Sequence, residues 1–252
     1  MAQARFSVTA VLTSALIALI TSAATAGSAG AAPSASVIQP GARITMGNSG
    51  CTANWIYVGH GRLRGQQFVG TAGHCVSGVG QPVYLSIGTF PVSFARGLRI
   101  GTVAYKSQAL DFSLIRIGPK NFQYVNPSMA GHPNIPAGVA GGSTAKPGDV
   151  CQFSGHGIGF DGTQVTEQSR IGILAAISAT QQYCDGPVSE GDSGGPVADE
   201  TAGNDAIGIV DSLGVEAGST TAAGEGGVAL VALLADSAKH GFPITLRTVT
   251  SH

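Results

Sequence analysis

Short runs of strand-forming residues, each ended by glycine, proline, asparagine or serine, recur along most of this chain. No helical pattern alternates with them, and glycine reaches 38 of 252 residues, about twice its usual share of ~7%. Short runs joined by tight turns are typical of all-β barrels and sandwiches. We therefore expect strands at residues 55–58, 67–71, 83–87, 90–94, 100–105, 112–117, 150–154, 164–168, 171–177, 206–210 and 227–231.

A segment of different composition separates these runs into two groups. Residues 126–149 contain four prolines among glycines and alanines, with little strand-forming content. Such a composition favours a connection, so residues 51–125 and residues 150–252 are predicted to form two β units. Near the end of the second unit, Leu234 and Ala238 have helical spacing and Gly241 can cap a helix, which predicts a short C-terminal helix at residues 232–240.

The first 32 residues have the form of a secretory signal peptide. Arg5 gives a positive start, an apolar run covers residues 8–20, and small residues follow as far as Ala32. The run is shorter than the ~18 to 20 residues that a membrane anchor needs. We expect a secreted protein with no stable membrane insertion once residues 1–32 are removed. Residues 33–50 are expected to be extended or loosely held and open to trimming.

Charge and cysteine content indicate which partners, cross-links and metals to expect. The 13 Lys and Arg against 14 Asp and Glu give a net charge of -1, and no basic stripe suggests a nucleic-acid partner. Four cysteines in a chain bound for an oxidising compartment favour disulfides, with three possible pairings. Since they form no Cys-x-x-Cys pair, we expect no metal, and we expect no cofactor. The cysteines are Cys51, Cys75, Cys151 and Cys184.

A glycine-rich turn in the second unit can hold a serine hydroxyl outward. It reads Gly191-Asp192-Ser193-Gly194-Gly195-Pro196-Val197, a composition that suits a tight turn. On its own it also satisfies the nucleophile elbow of α/β-hydrolases, but those enzymes need their acid and histidine after the serine and a βαβ alternation before it. Only two histidines, His240 and His252, follow the serine, and no βαβ alternation precedes it, which disfavours an α/β-hydrolase.

Two upstream motifs indicate what the serine in this turn can do. Thr71-Ala72-Gly73-His74-Cys75 ends a strand run on a turn that carries a histidine, and Cys75 can fix that turn through a disulfide, with Cys51 as the expected partner. Asp111 heads an alternating apolar run. A buried acid can hold an imidazole in the right tautomer, while the imidazole takes the proton of a serine hydroxyl.

Together, the three motifs resemble those of the chymotrypsin-like serine peptidases, most closely the secreted bacterial members similar to the streptogrisins. The chain order of His74, Asp111 and Ser193 also matches that family. The resemblance implies two packed six-stranded antiparallel β-barrels with the active site between them. It also implies that Ser193 is the nucleophile, His74 the base and Asp111 the orienting acid, with the N–H groups of Gly191 and Ser193 as the oxyanion hole.

The resemblance has further implications for the second unit. It pairs Cys151 with Cys184, and it makes residues 208–214 the segment that lines the specificity pocket and pairs with substrate backbone. Whether Asp211 or Ser212 takes the inner position of that segment is left open. The residues expected to contact substrate are Pro187, Glu190, Ser212 and Gly214.

Two positions depart from the family pattern. Trypsin-like members have an aspartate six residues before the serine, where this chain has Pro187, so we expect no preference for Arg or Lys. In animal members a freed amino terminus pairs with the acid before the serine, here Asp192. Arg43-Ile44 faintly resembles that cleavage site, and the partner of Asp192, a new amino terminus or an internal group, is left open.

The sequence therefore predicts a secreted serine endopeptidase, monomeric, acting on proteins or peptides. The alternative is a catalytically inert homologue that keeps the fold and acts as a secreted binding protein. All three motif residues are present, which favours the enzyme.

Overall fold

The computed structural model describes residues 37–87, 95–157, 168–215 and 223–249, and its strands form two antiparallel sheets. The first seven strands are β1 Arg43–Met46, β2 Ser49–Thr52, β3 Ile56–Gly59, β4 Gln67–Ala72, β5 Pro82–Ser86, β6 Arg96–Ser107 and β7 Phe112–Ile117. The next seven are β8 Val150–Gly155, β9 Gln168–Ile177, β10 Gln181–Asp185, β11 Pro196–Asp199, β12 Asp205–Ile209, β13 Ser212–Val215 and β14 Ala223–Val228. The remaining elements are helix α1 Leu230–Lys239, strand β15 Ile244–Leu246, and 3₁₀ helices at Gly61–Leu63 and Pro119–Tyr124.

The first sheet contains eight strands in the order β15-β3-β4-β7-β6-β5-β1-β2. Two of its inner strands, β4 and β7, are almost fully buried, with Val69 paired to Ile115. The core beneath them includes Ile44, Ile100 and Val103.

The second sheet contains seven strands in the order β12-β11-β8-β9-β10-β14-β13. Phe153, Leu174 and Val197 are buried in its core, around the Cys151–Cys184 disulfide. Strand β13 stands at one edge of this sheet. An edge strand keeps one row of backbone groups unpaired, so it can accept an added strand.

The C-terminal elements join the two sheets. Helix α1 contributes Leu230 and Leu233 to a core that also contains Trp55 of the first half, and the Tyr105 hydroxyl donates to Asp236 Oδ2 at 2.5 Å. The helix ends as expected, because Gly241 has a φ of 84°. Strand β15 then pairs with β3.

An all-β fold with a short C-terminal helix is confirmed, and the sheets hold eight and seven strands where six in each barrel were expected. The first sheet exceeds six because β15 adds to β3 and the hairpin of β1 and β2 continues it beyond β5. Residues 43–46 are extended, as expected, but they are not loosely held, since all four residues of β1 are buried. The expected strand at 90–94 and most of that at 164–168 lie outside the described residues.

Both expected disulfides form. Cys51 pairs with Cys75 at a Cα–Cα distance of 6.2 Å, and Cys151 pairs with Cys184 at 6.6 Å. Residues 126–149, the expected connection, lie between β7 and β8. Within the described ranges, no helix has the length and apolar character needed to cross a bilayer.

Candidate active site

His74 and Asp111 form a hydrogen-bonded pair where two neighbouring strands meet. Strand β4 ends at Ala72 opposite Phe112, the first residue of β7, so the turn after one strand faces the turn before the other. His74 Nδ1 lies 2.6 Å from Asp111 Oδ2, and the His74 backbone N–H donates to Asp111 Oδ1 at 2.6 Å. The hydrogen bond with Asp111 raises the pKa of the His74 imidazole, against the opposing effect of burial.

The carboxyl group of this pair is held in its charged form. Burial alone raises the pKa of Asp111, but the hydrogen bonds and charge of His74 outweigh it and leave that pKa below its ordinary value. A carboxylate at this distance fixes the imidazole tautomer with the proton on Nδ1 and leaves Nε2 free to accept one.

The pair depends on an unusual backbone conformation. Asp111 has a φ of 42°, a region that L-residues rarely occupy, and its carbonyl oxygen accepts the Gly73 N–H at 2.6 Å. A Cβ atom on Gly73 would lie 2.8 Å from Asp111 Oδ1 and 2.9 Å from the Phe112 nitrogen. Glycine is therefore required at position 73, because the two turns approach each other through their backbones.

The turn around Ser193 is tight. Gly191 and Gly194 have φ values of 100° and 87°, and the Gly194 N–H donates to the Val210 carbonyl at 2.6 Å. Among the described residues, the N–H groups of Gly191 and Ser193 donate to no other group. Both amides are therefore available to an incoming oxygen.

The Ser193 turn packs against the turn that carries His74. The Ser193 carbonyl accepts the Thr52 N–H at 2.9 Å and lies 3.8 Å from Cys75 Sγ, directly after His74 in the chain. The Cys51–Cys75 disulfide fixes this contact. In the described part of the chain, no hydrogen bond joins the Ser193 hydroxyl to the imidazole, so the structure brings together the His74–Asp111 pair and the backbone of the serine turn.

Asp192 has an internal partner, Arg170 of β9. Its side chain is almost fully buried and receives two charge-assisted hydrogen bonds, from Arg170 Nη1 at 2.6 Å and from Nη2 at 2.5 Å. The N–H groups of Gly157 and Ser189 add two more, at 2.7 and 2.9 Å. Four donors thus satisfy the carboxylate next to Ser193, with no need for a freed amino terminus.

Ile44 is part of the fold rather than a free end. It is fully buried in β1, where it pairs with Cys51 and Leu85. A cut before Ile44 would release it only if β1 left the sheet. Arg43-Ile44 faintly resembles an activation site, but Asp192, the acid that a freed Ile44 amino group would pair with, is already paired with Arg170.

Two further acids lie behind the cleft. Asp211 is partly buried whereas Ser212 is exposed. Burial raises the pKa of Asp211 to about 6, and its charge acts on both His74 and Asp111. Glu225 is fully buried on β14 and accepts a hydrogen bond from Gln182 Nε2 at 3.1 Å. Burial raises the pKa of Glu225 well above its ordinary value.

The residues expected to contact substrate lie on two segments near the serine turn. Pro187 and Glu190 are exposed, and the Pro187 carbonyl accepts a hydrogen bond from Arg170 at 3.2 Å. Ser212 is exposed on edge strand β13, where Gly214 pairs with Gly224. A cavity of about 360 Å³ lies beside β13 and is lined in part by Asp211, Ser212 and Tyr183.

Arg170 and Glu225 were not predicted from the sequence. One signal pointed to Arg170, since residues 149–252 contain only three basic residues and this one stands in an apolar strand. Within the described ranges, one group could offer three metal-ligating atoms, formed by Cys51, His74 and Cys75. A disulfide occupies both of its sulfur atoms, so the group does not form a metal site.

Two β sheets that bring a histidine–aspartate pair against a glycine-rich serine turn define a serine endopeptidase. The trypsin family model matches residues 38–229, and the chain belongs to the trypsin family. The Rv3671c protease, in an inactive form, shares the fold with a TM-score of 0.52 and 16% identity over 83% of this chain and 90% of its own. The HtrA-type protease AlgW, bound to a tripeptide, aligns with a TM-score of 0.50 and 18% identity over 83% of this chain and 64% of its own. A search of curated proteins found no match.

Proposed function

We propose that this protein is a secreted endopeptidase in which Ser193 attacks the peptide carbonyl after His74 Nε2 removes its proton. Asp111 orients the imidazole and stabilises its charged form, and the imidazolium then protonates the leaving amine. The N–H groups of Gly191 and Ser193 bind the oxyanion. Water releases the acyl group from Ser193 in the second half of the reaction, with His74 again as base.

One observation carries this proposal. His74 Nδ1 lies 2.6 Å from Asp111 Oδ2, on a turn that packs against the Ser193 backbone through Cys75. This contact supports a base and a nucleophile in one cleft, with the base already oriented. The N–H groups of Gly191 and Ser193 donate to no other described residue, which supports their assignment as the oxyanion site.

Covalent labelling tests the assignment directly. A fluorophosphonate probe should label the secreted protein, and labelling should disappear in Ser193→Ala and fall by at least 100-fold in His74→Ala. Ser128→Ala is the matched control, because within the described part of the chain its hydroxyl bonds only to the Pro133 carbonyl. A folded parent protein that never labels would favour the inert homologue that acts as a binding protein.

For the substrate, we infer a side-chain preference other than Arg or Lys. Pro187 stands where trypsin-like members carry an aspartate, and its carbonyl is already engaged by Arg170. The extended substrate backbone would add to edge strand β13. Cleavage of a peptide library, with product termini identified by mass spectrometry, tests this preference, and dominant Arg or Lys on the acyl side would contradict it.

The N-terminal composition supports secretion, and the Arg170–Asp192 ion pair supports activity without an animal-type activation cut. Amino-terminal sequencing of the secreted protein should give a start after Ala26 or Ala32. A secreted protein that retains β1 and is fully labelled by the fluorophosphonate probe would support activity without an activation cut. Activity that appeared only after cleavage between Arg43 and Ile44 would contradict it.

A further inference from the structure

The net charge of -1 conceals a strong separation of charge along the chain. Residues 33–148 contain nine Lys and Arg but one acid, Asp111. Residues 149–252 contain three Lys and Arg against thirteen Asp and Glu. The β1–β7 part of the protein is therefore strongly basic, and the β8–β14 part strongly acidic. An asymmetry of this size steers charged partners to one side of the molecule.

Part of the basic charge is concentrated around one groove of the first sheet. A cavity of about 290 Å³ is lined by Arg99 of β6, Arg116 of β7 and Lys120 of the following 3₁₀ helix. All three side chains are exposed. None of them forms an ion pair with a described residue, and no acid lines the groove.

The floor of the groove is rigid. Asn121 is almost fully buried and donates from Nδ2 to the Arg99 carbonyl at 2.7 Å and to the Ile100 carbonyl at 3.1 Å. The Gly118 N–H also donates to the Ile100 carbonyl, at 3.0 Å. These bonds hold the first half of β6 to the turn after β7, so the three cations are presented from a fixed backbone.

The groove lies within reach of a substrate chain in the cleft. Asp111 immediately precedes β7 and Arg116 is its fifth residue, which places the two Cα atoms about 17 Å apart at ~3.4 Å per residue. An extended peptide of about six residues covers this distance. A protein substrate cut at Ser193 can therefore place a second segment on Arg99, Arg116 and Lys120.

We propose that this groove is a second recognition site that binds an acidic segment of the protein substrate. The inference rests on the proposed endopeptidase activity for its biological role. A short acidic segment fits better than a nucleic acid, because the groove has no aromatic side chain on which bases could stack. The acidic β8–β14 part would also repel a long polyanion.

Binding is measured without turnover on Ser193→Ala protein, with fluorescein-labelled octa-glutamate followed by fluorescence anisotropy. Arg116→Gln should weaken binding about threefold, as expected for loss of one exposed charge pair. The triple variant Arg99→Gln, Arg116→Gln and Lys120→Gln should weaken it about tenfold or more. Raising salt from 50 to 200 mM should weaken octa-glutamate binding to the parent protein. It should also reduce the difference in affinity between the parent and the triple variant.

Arg64→Gln is the matched control, since it removes one exposed positive charge elsewhere on the basic part and makes no ion pair among the described residues. Its affinity should remain within 1.5-fold of the parent. Equal weakening by Arg64→Gln and Arg116→Gln would overturn the proposal, since it would show general attraction rather than a site. Tighter binding of a 20-nucleotide oligothymidylate than of octa-glutamate would overturn it in favour of nucleic acid.

A second measurement separates this proposal from the proposed function. In otherwise wild-type protein, the triple variant should raise KM for fluorescein-labelled casein, an acidic protein, without changing kcat or fluorophosphonate labelling. Absence of labelling in the parent would refute the proposed activity, while octa-glutamate binding would still decide the groove. Unchanged anisotropy in the triple variant would refute the groove alone.

Discussion

Replacing Arg170 with methionine should test the ion pair that supports the serine turn. Methionine fills a similar volume but leaves the Asp192 carboxylate, which is almost fully buried, without two of its four donors. The N–H groups of Gly157 and Ser189 remain as partners. The variant therefore creates a buried charge that is only half satisfied, beside the proposed nucleophile.

The expected loss follows from these contacts. Removing one partner of a buried ion pair costs about 3 to 5 kcal/mol. The lower end applies here, because two backbone donors remain and the Arg170 side chain is itself 12% exposed. A loss of about 3 kcal/mol lowers Tm by roughly 6 to 12 °C in a chain of this size. Displacement of the serine turn should slow fluorophosphonate labelling by at least tenfold.

Calorimetry and labelling kinetics at pH 7 measure both effects. Arg247→Met is the matched control, because among the described residues its side chain bonds only to the neutral Gln67 Oε1, at 2.9 Å, and its Tm should change by less than 2 °C. The double variant Arg170→Met with Asp192→Asn should recover part of the stability by removing the unpaired charge. A Tm within 1 °C of the parent for Arg170→Met, with normal labelling, would refute the assigned role of the pair.

Three other substitutions test the cleft. Glu225→Gln should raise the free energy of unfolding by about 2 kcal/mol at pH 8 and by little at pH 4 in denaturant titrations. The raised pKa of Glu225 means that folded-state stability falls as pH rises above its ordinary value of 4.5, and equal gains at both pH values would contradict this. Asp211→Asn should move the acid limb of kcat/KM to lower pH, because the Asp211 charge raises the pKa of His74; a shift to higher pH would contradict the sign. Gly73→Ala should reduce kcat/KM at least tenfold while lowering stability by about 1 to 3 kcal/mol, since its Cβ would lie 2.8 Å from Asp111 Oδ1; unchanged kcat/KM would show that the pair tolerates displacement.

Features that depend on local sequence were accessible without the structure. The strand ends at His74 and Asp111, the glycine turn around Ser193 and the cap at Gly241 are each specified within about seven residues, because backbone preference decides them. The Cys51–Cys75 disulfide was expected from the turn that carries His74, and the Cys151–Cys184 disulfide followed from the resemblance. The burial of β1 was missed, because its alternation is too short to distinguish from an extended tail.

Features that depend on distant partners were not accessible. Arg170 and Asp192 are 22 residues apart, and only the folding of the serine turn onto β9 brings them together. Gln182 and Glu225 are 43 residues apart, and the pairing of β10 with β14 brings them together. Charge separation was present in the sequence but invisible in its total, because an excess in one half cancels the excess in the other. Whether the charges converge on a groove depends on β6 and β7 pairing.

The pairing of β15 with β3 constrains the order in which this protein can mature. Ile244, Thr245 and Leu246 complete a sheet whose other strands all precede residue 118. During synthesis at ~5 to 20 residues per second, that edge of β3 waits on the order of ten seconds for its partner. The first sheet therefore stays incomplete until β15 has been synthesised. A delay separates synthesis of His74 and Asp111 from closure of the sheet that holds them. Truncation before residue 244 should yield a chain that retains every proposed catalytic residue and still fails to mature.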